Sequence, residues 1–139
     1  MWLALRSYVL LLRMESPAER AAGREAAREA FELLPWVAFV CGTWGAALID
    51  EARSAEGLER LEEANALDVQ EQEVAARKAW RAIGCAQLGR MRQARALLRE
   101  AGTRGLEVGA PPALLRRAEA SIARRSRRRQ RPENPLREP

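Results

Sequence analysis

The chain has 139 residues, enough for one domain with a modest core and short for two. Ala, Leu, Arg and Glu dominate while β-branched and aromatic residues are sparse, which excludes a sheet-rich fold and points to an all-α one. Histidine is absent, removing the commonest general base and zinc ligand; the net charge of +5 is uneven, because residues 116–139 hold nine arginines and three glutamates and the rest of the chain is slightly acidic.

Trp2 to Met14 is apolar on most faces, with Arg6 and Arg13 on one side, and is expected as a helix buried by neighbours. It has no basic flank ahead of it and no small-residue cleavage site before Glu15, so no secretory leader is expected. Ser16-Pro17-Ala18-Glu19 reads as a helix start: Ser16 caps free amides, Pro17 suits the first helical position and Glu19 completes a capping box. This second helix is expected to reach Leu34 and stop at Pro35.

A third helix, Trp36 to Ala52, is apolar almost all round. The uncharged run from Leu33 to Ile49 barely reaches the ~17 residues a bilayer requires and contains Pro35, Gly42 and Gly45, so a buried helix is expected and not a membrane span. A fourth helix, Ala55 to Leu67 with Ser54 as cap, carries a stripe of Leu58, Leu61, Ala64 and Leu67. Asp68 is expected to cap a fifth, running from Val69 to Leu88, with Gly89 as its left-handed stop. Met91 to Arg104 makes a sixth, residues 105–109 a loop, and Pro111 and Pro112 start a seventh, reaching about Arg125, with Leu114, Leu115, Ala118 and Ile122 at helical spacing.

Paired, these helices expose a repeat. A small residue is followed four positions on by an apolar one and three further by alanine: Gly23, Ala27, Ala30; Gly57, Leu61, Ala64; Ala94, Leu98, Ala101, at intervals of about 34 to 37 residues. Gly45 lies twelve positions before Gly57, and Ala82 twelve before Ala94. Helices can approach closely only where side chains are nearly absent, which is what such positions supply.

This pattern resembles the tetratricopeptide repeat family over about Ala4 to Leu106. The clearest copy is Trp80 to Ala101, with Ala82, Cys85, Gly89, Ala94, Leu98 and Ala101 on the family's small and apolar places; Trp44-Gly45 marks the middle copy. The first copy departs, with Leu11 where a small residue is usual and Ala18 where a turn glycine is usual. The resemblance implies three stacked helical hairpins and a C-terminal capping helix, an α-solenoid wound as a right-handed superhelix; a plain antiparallel helical bundle is the competing reading. The expected domains are a repeat domain over 1–123 and a disordered Arg-rich tail over 124–139.

The chemistry is sparse. Cys41 and Cys85 lie in separate apolar segments and are expected as buried free thiols. The glutamates interleave with arginines, as at Glu25, Arg28 and Glu29 or Glu59, Arg60 and Glu63, and read as solvated ion pairs worth ~0.2 to 0.5 kcal/mol each. With no phosphate-cradling loop and no acid cluster, no enzyme activity, cofactor or metal is expected. Trp36, Trp44 and Trp80 are expected in the core, and Trp2 at the surface.

What remains is binding, in an intracellular, cytoplasmic setting, or a nuclear one in a eukaryote. The resemblance implies a concave groove for a partner helix or peptide lined by Leu5, Tyr8, Leu12, Phe39, Gly42, Ala46, Ile49, Asp50, Ala76, Ala79, Ile83 and Gln87, with inter-repeat core as the alternative role for each. None is basic, so the carboxylate clamp of the family's co-chaperones is not carried over. The competing expectation is a small basic adaptor contacting nucleic acid, or an acidic partner, non-specifically through Arg124, Arg125, Arg127, Arg128, Arg129 and Arg131. Self-association through the apolar first helix is a further expectation.

Overall fold

The computed structural model describes residues 2, 6, 16–68, 73–103 and 110–131, and it is all-helical over them. Apart from Trp2 and Arg6, both helical and exposed, the first expected helix lies outside the described residues, as does the loop at 105–109. The rest forms α1 (Pro17–Leu33), α2 (Ala38–Asp50), α3 (Ser54–Leu67), α4 (Ala75–Gln87), α5 (Met91–Thr103) and α6 (Pro112–Gln130).

The ends of these helices follow from local chemistry. Ser16 Oγ accepts from the Glu19 amide at 3.1 Å, with Pro17 in the first turn, as expected, but the capping box is not completed: Glu19 Oε2 is buried without a hydrogen-bond partner among the described residues. Gly89, at φ +78, ends α4: its amide donates to Ala86 and that of Arg90 to the Cys85 carbonyl. α2 ends through the same pair of bonds, Ala52 to Ile49 and Arg53 to Leu48, but with Ala52 at φ +63 in the left-handed position. An alanine there carries no sequence signal, and the tight turn it makes corrects the reading of Ser54: Ser54 lies inside α3, Arg53 precedes it, and its hydroxyl donates to Gln87 Oε1 on α4.

Two further expectations are corrected. Asp68 does not cap a helix opening at Val69; it ends α3, its amide donating to the Ala64 carbonyl and its carboxylate facing Arg77 of α4, which begins only at Ala75. Nor does the last helix end near Ala123 or Arg125. α6 reaches Gln130, so residues 124–130, expected in a disordered tail, are helical. Arg129 donates to the Gly89 carbonyl at 3.2 Å and Arg95 to Ser126 Oγ, so the extension rests on the α4–α5 turn, and three arginines in its last turn oppose the negative end of the helix dipole.

Each helix packs on the next in sequence, and α4 also packs on α2 and α6. α4 is thus central, surrounded by α2, α3, α5 and α6, which accounts for the burial of Ala79, Trp80, Ala82, Ile83, Cys85 and Ala86 and even of Arg77 and Lys78. Both cations are paired: Arg77 with Asn65 and Asp68, Lys78 with Glu100 at 2.8 Å. One core runs from Ala27 to Ile122, and a satellite at the α1–α2 turn joins Ala30 and Val40 to Phe31, Leu34 and Val37.

The repeat positions do what close packing asks of them. A Cβ on Gly45 would lie 2.9 Å from the Gly57 carbonyl, and one on Gly57 would lie 2.6 Å from Ile49 Cγ1 and 2.8 Å from the Gly45 carbonyl, so α2 and α3 cross in backbone contact. Ala82 and Ala94 are fully buried in the next pair, α4 and α5. Among the tryptophans, Trp80 is core and Trp44 stacks on Phe31 with centroids 6.3 Å apart. Trp36 is corrected: it sits in the α1–α2 turn beside Pro35 and is 65% exposed. Among the described residues no helix is long and apolar enough to cross a membrane.

Candidate functional site

Two concavities lie on this scaffold, and they differ in chemistry. The first is an apolar groove of about 80 Å³ where α2 faces α4. From α2 come Phe39, Gly42, Thr43 and Ala46, at helical spacing along one face; α4 contributes Ala76, Arg77 and Trp80, with Val74 just ahead of it, and α3 contributes Leu61. Three small residues, Gly42, Ala46 and Ala76, make the hollow, while Phe39 and Val74 stand partly exposed at 36% and 45%. The polar groups of the lining are used internally. Thr43 Oγ1 donates to the Phe39 carbonyl at 2.8 Å, presenting its methyl group outward from that bond, and Arg77 donates to Asn65 Oδ1 at 2.8 Å.

Of the groove residues expected from the sequence, Phe39, Gly42, Ala46 and Ala76 are brought together here. Ile49, Ala79 and Ile83 are fully buried and belong to the core, the alternative role foreseen for them. Leu5, Tyr8 and Leu12 lie outside the described residues. Thr43, Leu61, Val74 and Arg77 complete the lining without having been expected in it, and Trp80, expected in the core, is core and also borders the groove.

Asp50 and Gln87 belong to a second, basic concavity of about 520 Å³, bounded by α1, the α2–α3 turn, the end of α4 and α6. Arg20 of α1 and Arg117, Ser121, Arg124, Arg125 and Arg128 of α6 line it, the latter at positions i, i+4, i+7, i+8 and i+11 of one helical face. Asp50 cannot serve a ligand: its carboxylate is 1% exposed, with Oδ2 held by Arg24 at 2.7 Å and Oδ1 by Arg117. The Arg117 guanidinium also lies 4.9 Å over the Trp80 ring. One carboxylate thereby joins α1, α2 and α6. Of the remaining tail arginines, Arg127 and Arg131 are exposed and Arg129 holds Gly89.

The other reactive groups are quiet. Cys41 and Cys85 are buried free thiols. Burial, helped by the nearby Glu63 carboxylate, pushes Cys41 up to about 11, and its Sγ donates to the Arg60 carbonyl; burial likewise raises Cys85. Arg28 pairs with Glu25 and Glu32 on an exposed face and Arg60 with Glu63 at 2.7 Å, as solvated pairs. Among the described residues no three acidic or thiol side chains are grouped as metal ligands. Comparison of the chain with family models, curated proteins and solved structures finds no match.

Proposed function

We propose that the protein is a non-enzymatic interaction module of tetratricopeptide-like build, in which the α2–α3 and α4–α5 hairpins stack and α6 closes the array. Supporting this reading are the backbone contact of α2 with α3 at Gly45 and Gly57, and the packing of α2 on α4, the first helices of successive hairpins. The observation that carries the function is the groove between those two first helices: apolar, shallow, floored by small residues and edged by exposed Phe39 and Val74. Its volume suits one apolar side chain, so the partner is a helix or extended peptide of another protein that inserts a single aliphatic or aromatic anchor.

Affinity capture from nuclease-treated cell extract, read by mass spectrometry, tests this. Phe39→Ala removes one wall and Ala76→Arg fills the floor; both are expected to lose a stoichiometric protein partner that the unaltered chain and Arg124→Glu retain. Capture of the same partners by all four chains would overturn the groove reading.

A further inference from the structure

We propose that the basic concavity is a built binding site for the phosphate backbone of a nucleic acid, to which the helical body contributes as much as the arginine run. The deciding feature is a deficit of acceptors. Both Asp50 oxygens are taken by Arg24 and Arg117, and Gln87 Oε1 is taken by Ser54. Among the described residues no carboxylate lies within 4 Å of the Arg20, Arg124, Arg125 or Arg128 guanidinium, and two guanidinium nitrogens, Arg20 Nε and Arg117 Nη1, are buried without a hydrogen-bond partner. Guanidinium groups whose donors lack acceptors favour an entering oxyanion, and their planar forks match phosphate oxygens.

The positive surface also has a direction. Arg129 and Arg125 lie over Gly89, and Arg90 and Arg92 continue the basic wall past Arg129 onto the start of α5. A line of cations extending from α1 across α6 to α5 matches a ligand carrying several phosphates in a row better than one carrying a single anion. Among the described residues no aromatic ring lines either basic wall, so these walls hold a backbone without stacking bases or reading sequence. A flexible basic tail would not need Arg20, which lies about a hundred residues earlier in the chain, and this separates the proposal from tail-only attraction.

The test is fluorescence anisotropy of the full chain with a labelled 20-nucleotide mixed-sequence DNA strand. Contacts to about four phosphates of a single strand predict a roughly 20-fold loss of affinity when salt is tripled. Arg20→Gln should weaken binding about 3- to 5-fold, and the doubly reversed Arg124→Glu, Arg128→Glu chain at least 30-fold, with helicity by circular dichroism unchanged. Because Arg124 and Arg128 are exposed, that second variant reads the site even if Arg20→Gln disturbs the fold. Phe39→Ala should bind the strand normally, so failure of the groove leaves this result standing. The proposal is overturned by unchanged affinity in Arg20→Gln together with loss in Arg127→Glu, Arg131→Glu, which would assign attraction to the helix end alone. It is equally overturned by absence of strand binding, or by polyglutamate of matched length displacing the strand at equal concentration, which would make the ligand an acidic protein.

Discussion

Asp50 ties three helices together through one buried carboxylate. At the end of an apolar helix it looked like a polar point in a binding surface; its partners come from Arg24 and Arg117, far away on either side of the chain. No local periodicity could have joined the three. The arrangement predicts the consequence of losing the charge. Asp50→Asn leaves Arg24 and Arg117, 25% and 17% exposed, without the buried carboxylate between them, Arg24 keeping only the half-exposed Glu51 at 3.2 Å. Removing one partner of a buried pair costs about 3 to 5 kcal/mol, and partial exposure of the arginines brings the expectation here to the lower end, about 2 to 3 kcal/mol. Urea denaturation followed by circular dichroism measures it. A change under about 0.5 kcal/mol, the size typical of neutral surface substitutions, would mean the three groups are solvated in practice.

For the helices, the sequence was most legible where a pattern has one physical reading. Six of the seven expected helices are present among the described residues, because apolar spacing, Ser16-Pro17 and Gly89 each leave few alternatives. Boundaries failed where a residue had two uses. Ser54 and Asp68 are both good caps, yet each faces α4 through its side chain instead, and Ala52 takes a left-handed turn that alanine does not advertise. The close approach of α2 and α3, by contrast, was visible in the spacing of Gly45 and Gly57. It leads to opposite outcomes for one substitution at two sites. Gly57→Ala sets a methyl group against Ile49 and the Gly45 backbone, forcing the hairpin apart at a cost of about 1 to 3 kcal/mol. Gly102→Ala, in α5 with nothing within 4 Å of the new Cβ, should be neutral or stabilise by up to about 1 kcal/mol through helix propensity. Thermal unfolding of the two variants side by side decides the matter; similar destabilisation in both would remove the special status of the α2–α3 contact.

At the scale of the whole molecule, the two concavities were unequally legible. Four of the nine residues lining the apolar groove, Phe39, Gly42, Ala46 and Ala76, could be named because the tetratricopeptide resemblance implies which places of each first helix face it. Of the basic one, Arg124, Arg125 and Arg128 are legible as a cationic run, but their joining with Arg20 and Arg117 is not, because only the fold sets α1 beside an α6 that continues through residue 130. The same segregation of charge governs how salt acts on the fold. Screening reaches exposed charges more than a Debye length apart, about 10 Å at 0.1 M, and spares buried ones. The exposed ion pairs Arg28–Glu25, Arg53–Glu56 and Arg60–Glu63 are solvated and contribute little, so their loss in salt costs little, and the Asp50 clamp is shielded from it. Mutual repulsion among Arg20, Arg124, Arg125 and Arg128 has no compensating carboxylate among the described residues and is relieved as ionic strength rises. The expected net effect is a melting temperature that climbs by several degrees between 20 and 300 mM sodium chloride, and climbs further at equal ionic strength in sulfate, which offers paired oxygens to the guanidinium forks. Arg124→Glu, Arg128→Glu should flatten that dependence. A melting temperature that instead falls with salt would show that surface ion pairs dominate, and that the arginines lining the basic concavity are far enough apart to ignore one another.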